Sequence, residues 1–81
     1  MDDVRRRGIA RLALRWPQRR SQLEQSLKKE PRLGELCEAY EVACVAVDYW
    51  LRSDAPVASA RVEEYRALAL ATEQDILDTL S

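Results

Sequence analysis

The feature that most constrains the fold of this chain is a stripe of apolar residues in its middle. Between Pro31 and Arg52, apolar side chains recur at alternating spacings of four and three residues. This heptad-like pattern predicts a long helix that packs against another helix along one seam. The predicted seam residues of this helix are Leu33, Cys37, Tyr40, Cys44, Val47 and Leu51.

A second long helix is predicted to begin between Pro56 and Ser59 and to end near Leu80. The segment 53–56, which contains Ser, Asp and Pro, breaks the first helix, and a connection this short makes consecutive helices antiparallel neighbours. We therefore expect an antiparallel helical hairpin over residues 31–80. Its second helix is expected to contribute the seam residues Val62, Tyr65, Ala69, Ile76 and Leu80.

Two shorter helices are predicted ahead of the hairpin. Asp3 is placed to cap the first, which should run from about Val4 to Arg15. Pro17 should end that helix and open a second one that reaches about Lys29, because a proline disfavours helical geometry in the residue before it. With only two glycines, the whole chain, residues 1–81, is expected to form one all-α domain with a basic segment at 1–30 and a hairpin at 31–80.

Apolar side chains beside the seam indicate that the long helix has neighbours on more than one side. Val42, Val45, Ala46 and Tyr49 form this second apolar surface. A single core in a chain of 81 residues gives only marginal stability without further association. We therefore expect a homodimer that completes the bundle, with these four residues at its interface.

Charge is distributed unevenly along the chain. Residues 1–32 hold ten Lys and Arg against four Asp and Glu, whereas residues 33–81 hold three against ten. The basic segment could contact nucleic acid, an anionic membrane surface or a protein partner, or it could pair with the acidic residues Glu35, Glu38, Glu41 and Asp48. Pairing is the favoured interpretation. The candidate contact residues are Arg7, Arg11, Arg15, Arg19 and Arg20.

The composition argues against catalysis. Histidine is absent, which removes the commonest general base and metal ligand. Cys37 and Cys44 lie about 10.5 Å apart along a helix, too far for a disulfide, and their seam positions favour structural free thiols. We predict no catalytic, cofactor or metal site. No transmembrane stretch or secretion leader is recognised, so a cytoplasmic location is expected.

Several local motifs resemble those of the YdcH-like small bacterial proteins. Trp16-Pro17 stands where that family tends to have an aromatic residue and proline, and Glu30-Pro31-Arg32-Leu33 with Leu36 and Tyr40 resembles its entry into a long helix. The motifs farther on are Glu64-Tyr65, Leu68 and Ile76-Leu77-Asp78-Thr79-Leu80. The resemblance implies a helical hairpin without established enzymatic activity. The chain departs from the family's lysine-rich second long helix, where Arg61 and Arg66 are the basic residues.

These observations predict a non-enzymatic protein that acts through protein–protein interaction as a homodimer. The alternative is an accessory protein that binds nucleic acid through its arginine-rich segment.

Overall fold

A computed structural model describes residues 3–81, and these residues form α-helices and a short 3-10 turn without any β-strand. The all-α prediction is confirmed, and the helices pack as a bundle. Within the described part of the chain, no helix combines the length and apolar character needed to cross a membrane. The helices are α1 (Asp3–Arg15), α2 (Arg20–Lys29), α3 (Pro31–Leu51) and α4 (Ala58–Leu80), with the 3-10 turn at Pro17–Arg19.

Two prolines set the helix boundaries in the first half of the chain. Trp16 has φ −127° and ψ 70°, and Glu30 has φ −116° and ψ 103°. Both residues precede proline and leave the helical region, as the clash with the proline ring requires. The predicted boundaries need two corrections. Pro17 opens a 3-10 turn rather than α2 itself, and Asp3 is the first residue of α1 rather than its cap.

All four helices contribute to one hydrophobic core. α1 contributes Leu12 and α2 contributes Leu23, and both side chains are almost completely buried. They pack on the ends of α3 and α4 that lie farthest from the connection between these two helices. The core residues from α3 and α4 are Leu33, Cys37, Tyr40, Ile76 and Leu80.

A glycine lets α1 approach α3 closely. A methyl group built on Gly8 would overlap the backbone carbonyl oxygen of Cys37 and would lie 2.8 Å from its carbonyl carbon. Gly34 of α3 faces the guanidinium group of Arg5, whose Nη1 would lie 2.7 Å from an added methyl. The two glycines of the chain therefore both lie where α1 crosses α3: Gly8 makes room for the backbone of α3, and Gly34 makes room for the Arg5 side chain.

The molecule has two unlike halves. The closed half comprises α1, α2 and residues 31–41 and 72–80 of α3 and α4, and it holds the core. The open half comprises residues 42–71, in which α3 and α4 lie beside each other beyond the reach of α2. Because the open half projects from the core, the molecule measures 43 × 25 × 21 Å. Its radius of gyration is 13.4 Å, against about 12 Å for a compact domain of this length.

The predicted seam is covered unevenly. Its members in the closed half are buried, and Val62 is buried in the open half. Cys44, Val47, Tyr65 and Ala69 are only half-buried. Leu51 departs from the prediction, since it is 55% exposed at the last residue of α3. The heptad-like spacing places Leu51 on the seam face of α3, but no helix of the closed half extends far enough to cover it.

Candidate interaction surfaces

Arginines of α1 are tied to carboxylates of α3 and α4. Arg5 Nε lies 2.7 Å from Glu38, and Arg11 Nε lies 2.5 Å from Glu41. Arg15 Nε lies 2.8 Å from Glu73, which is 58 positions away in sequence. These pairs hold α1 across both long helices. Arg11 contacts Glu41, one of the acidic partners expected from the sequence, whereas Arg15 pairs with Glu73 of α4, which was not among them.

Two of these carboxylates, those of Glu41 and Glu73, are buried. Glu73 Oε2 accepts hydrogen bonds from Arg15 and, at 2.6 Å, from the Tyr40 hydroxyl. The hydrogen bond to Glu41 raises the pKa of Arg11, and the hydrogen bond to Glu73 raises that of Arg15. A buried charge is costly unless it is paired, so removing either arginine would leave a buried carboxylate without its cation. The described residues contain no group of acidic or cysteine side chains arranged to hold a metal ion.

The other candidate arginines remain on the surface. Arg19 donates to Gln22 at 3.2 Å, and Arg20 lies 4.0 Å from Glu24. Arg7 is exposed beside Leu14, which is among the most exposed apolar residues of the chain. The five predicted contact residues therefore do not form one basic face, because Arg11 and Arg15 point at acidic partners within the protein.

The two cysteines are free thiols in different surroundings. Cys37 is buried beneath Gly8, and burial raises its pKa to about 11. Cys44 is half-buried, and partial burial raises its pKa as well. Both thiols are thus kept protonated at neutral pH, which is the unreactive form. Cys37 belongs to the core and Cys44 packs against it, and their structural role stays a prediction.

A groove opens between α3 and α4 in the open half. We call it the open groove; α3 contributes Cys44, Val47 and Asp48, and α4 contributes Arg66, Ala69 and Leu70. Its volume is 310 Å³, and Arg11 of α1 closes one end. Cys44 and Val47 continue the stripe of α3 that α1 covers at Cys37. The open groove is therefore the uncovered continuation of the surface that α1 occupies in the closed half.

The opposite side of α3 carries a second apolar surface, the outer stripe, made of Val42, Val45, Ala46 and Tyr49. Tyr49 is 64% exposed, Val42 and Val45 are each exposed to about half or more, and Ala46 is half-buried. The Tyr49 ring meets Trp50 edge to face, with 5.0 Å between ring centroids. This surface is the interface expected from the sequence. Helical spacing places it away from the open groove.

Sequence reasoning missed the residues that dock α1 and those that flank the open groove. Glu73, Gly8 and Gly34 were not singled out, and neither were Asp48 and Arg66 as a pair. The glycines did offer a signal. A glycine within a helix costs about 1 kcal/mol relative to alanine, so a helical glycine often marks a close approach of two backbones.

The fold and these surfaces define a small all-α helical bundle with an incompletely covered pair of long helices. Comparison with protein-family models, with curated proteins and with solved structures finds no match. The resemblance to the YdcH-like proteins therefore stays a prediction.

Proposed function

We propose that this chain is a small non-enzymatic cytoplasmic protein that acts by protein–protein association and forms a homodimer through its open half. One observation carries the proposal: the open half exposes apolar side chains on several sides of two helices. The most exposed are Val42, Val45, Tyr49, Leu51, Leu68 and Leu70. Exposed apolar patches mark association sites in soluble proteins, and Val42, Val45 and Tyr49 are neighbours on one face of α3.

In this proposal, α3 and α4 are the arms of an antiparallel hairpin. The short connection at residues 52–57 and the hydrogen bond from Tyr40 to Glu73 support that arrangement. The closed half needs no partner to cover its core, since that core is buried and the carboxylates of Glu41 and Glu73 pair with arginines of the same chain. A second copy would supply the open half with the cover that α1 and α2 supply to the closed half.

The ion pairs of α1 weigh against the nucleic-acid alternative. A polyanion would have to compete with Glu41 for Arg11 and with Glu73 for Arg15. Exposed cations, such as Arg7, Arg19, Arg20, Lys28 and Lys29, would remain for phosphate contact without disturbing the fold. Because internal pairing of Arg11 and Arg15 lowers the number of phosphates that can be contacted, binding should be weaker, and its salt dependence shallower, than for a fully available basic segment.

Sedimentation velocity over a range of concentrations tests the proposed association. We expect the parent chain to dimerise at micromolar concentrations. We also expect a variant with both Tyr49→Glu and Leu70→Glu to remain monomeric, because charges would have to be desolvated on both apolar surfaces. Leu14→Glu is the matched control, since Leu14 is highly exposed but lies on α1. A parent chain that stays monomeric at high micromolar concentration contradicts the proposal.

A further inference from the structure

We infer that the homodimer is two-fold symmetric and packs open groove against open groove, with Asp48 of each copy paired to Arg66 of the other. This inference rests on the proposed homodimerisation and assigns its interface. The groove offers an apolar floor from Cys44, Val47 and Ala69, and Leu70 beside it is 61% exposed.

The two walls of the open groove carry opposite charges. Asp48 lies on the α3 wall and Arg66 on the α4 wall. Asp48 is about half exposed, and its cation within the chain is Arg11 Nη2 at 3.9 Å, while Arg11 Nε is already bonded to Glu41. Within residues 3–81, Arg66 makes no ion pair or side-chain hydrogen bond. Both charges are thus available for an outside partner.

This arrangement is self-complementary. A two-fold axis parallel to the groove exchanges its walls, so that the α3 wall of one copy faces the α4 wall of the other. Asp48 then meets Arg66 twice, once on each side of the axis, and the apolar floors face each other between the two pairs. An interface between identical copies must match itself in this way. The outer stripe lacks walls of opposite charge from two helices, because Asp48 and Arg52, which border Val45 and Tyr49, both belong to α3 or its C-terminal end.

The open groove continues the α3 surface that α1 covers in the closed half, and this continuity supports a helix as the element that fills the groove. In the closed half, the same surface of α3 accepts α1, whose Leu12 is buried and whose Arg11 reaches Glu41. The open groove needs an equivalent cover of apolar side chains flanked by charge. The long helices of a second copy supply it, and they also cover Leu51 and Leu70 near the groove.

Charge reversal tests this pairing by sedimentation velocity. Asp48→Arg and Arg66→Asp should each weaken homodimerisation at least about tenfold, because like charges would face each other twice. A 1:1 mixture of the two variants should form heterodimers with an affinity near that of the parent, since both contacts become attractive in that combination. Pairing within one chain cannot produce this rescue.

Matched controls separate this pairing from general effects of charge. Arg32→Asp and Asp54→Arg change the charge by the same amounts at exposed positions outside the groove, and they should leave the dimer unchanged. Circular dichroism shows whether each variant keeps its helices. Leu70→Glu adds a test that leaves the Arg11–Asp48 contact intact, and it should also yield monomer.

The outcomes distinguish this inference from the broader proposal. A parent chain that never dimerises overturns both. A parent dimer that survives Leu70→Glu and both charge reversals, but is lost in Tyr49→Glu, overturns the groove interface alone and assigns the outer stripe. Variants that become monomeric but give no heterodimer on mixing overturn the Asp48–Arg66 pairing.

Discussion

The closed and open halves contain the same two long helices in different surroundings. In the closed half, α1 and α2 cover the seam, and Leu33, Cys37 and Ile76 are completely buried. In the open half, the seam continues through Cys44 and Val47, but these residues border a groove. The difference shows that a regular apolar stripe determines which face of a helix can be buried. Whether that face is buried depends on the length and position of the neighbouring elements.

The halves also use charge differently. In the closed half, the carboxylates of Glu41 and Glu73 are buried and bonded to arginines of α1. In the open half, Asp48 and Arg66 remain solvated on the walls of the groove. Buried ion pairs resist disruption, because loss of one partner leaves the other charge buried and unpaired. Exposed charges can change partners at little cost in free energy. The closed half is thus built for stability, and the open half keeps charges that an incoming surface can use.

The largest contrast between the halves is expected for leucine truncation in α3. Leu33→Ala should lower the free energy of unfolding by about 3 kcal/mol, because Leu33 is completely buried and its removal leaves a cavity. Leu51→Ala, at the other end of the same predicted seam, should cost less than about 1 kcal/mol. Urea denaturation followed by circular dichroism, at concentrations low enough to avoid association, measures both. Equal losses would show that the open end of the seam is covered within the monomer.

The helices themselves could be predicted from the sequence, because their signals are local. Pro17 and Pro31 mark helix boundaries, and the spacing of Leu33, Cys37 and Tyr40 identifies the buried face of α3. The position of α1 could not be predicted. It depends on contacts between residues far apart in sequence, such as Arg15 with Glu73, and on the absence of a side chain at Gly8.

The candidate surfaces were predictable only in part. The outer stripe follows from helical spacing, and the structure exposes most of it. The open groove does not follow from spacing, since Cys44 and Val47 fall on the stripe that also includes the buried Cys37. The seam face of α3 is covered only as far as α1 extends, and α1 ends at Arg15. The placement of Asp48 and Arg66 on opposite walls of one groove likewise depends on the register between α3 and α4.

A smaller contrast is expected between the two glycines at the crossing of α1 and α3. Gly8→Ala should destabilise the protein by about 2 kcal/mol, because the new methyl meets backbone that cannot move independently, and this outweighs the gain in helix propensity. Gly34→Ala should stay within about 1 kcal/mol of the parent, since its methyl meets the flexible end of Arg5. Denaturation of both variants under identical conditions makes the comparison. Tolerance of Gly8→Ala would mean that α1 can sit farther from α3 without loss.

The smallest effect concerns alkaline stability and separates Cys37 in the closed half from Cys44 beside the open groove. Burial raises the pKa of Cys37 to about 11, from 9.0 for an exposed thiol. The folded pKa lies above the unfolded one, so the associated stability is fully present below pH 9 and is lost as the pH rises toward 11. This loss should reach about 1 kcal/mol by pH 10. Tyr40 adds to it with the same sign, because burial and then its hydrogen bond to Glu73 raise its pKa. Urea denaturation from pH 7 to pH 10 should therefore show a shallower decline for Cys37→Ala than for the parent or for Cys44→Ala. A decline unchanged by Cys37→Ala would show that the thiol beneath Gly8 is not held in its protonated form by the fold.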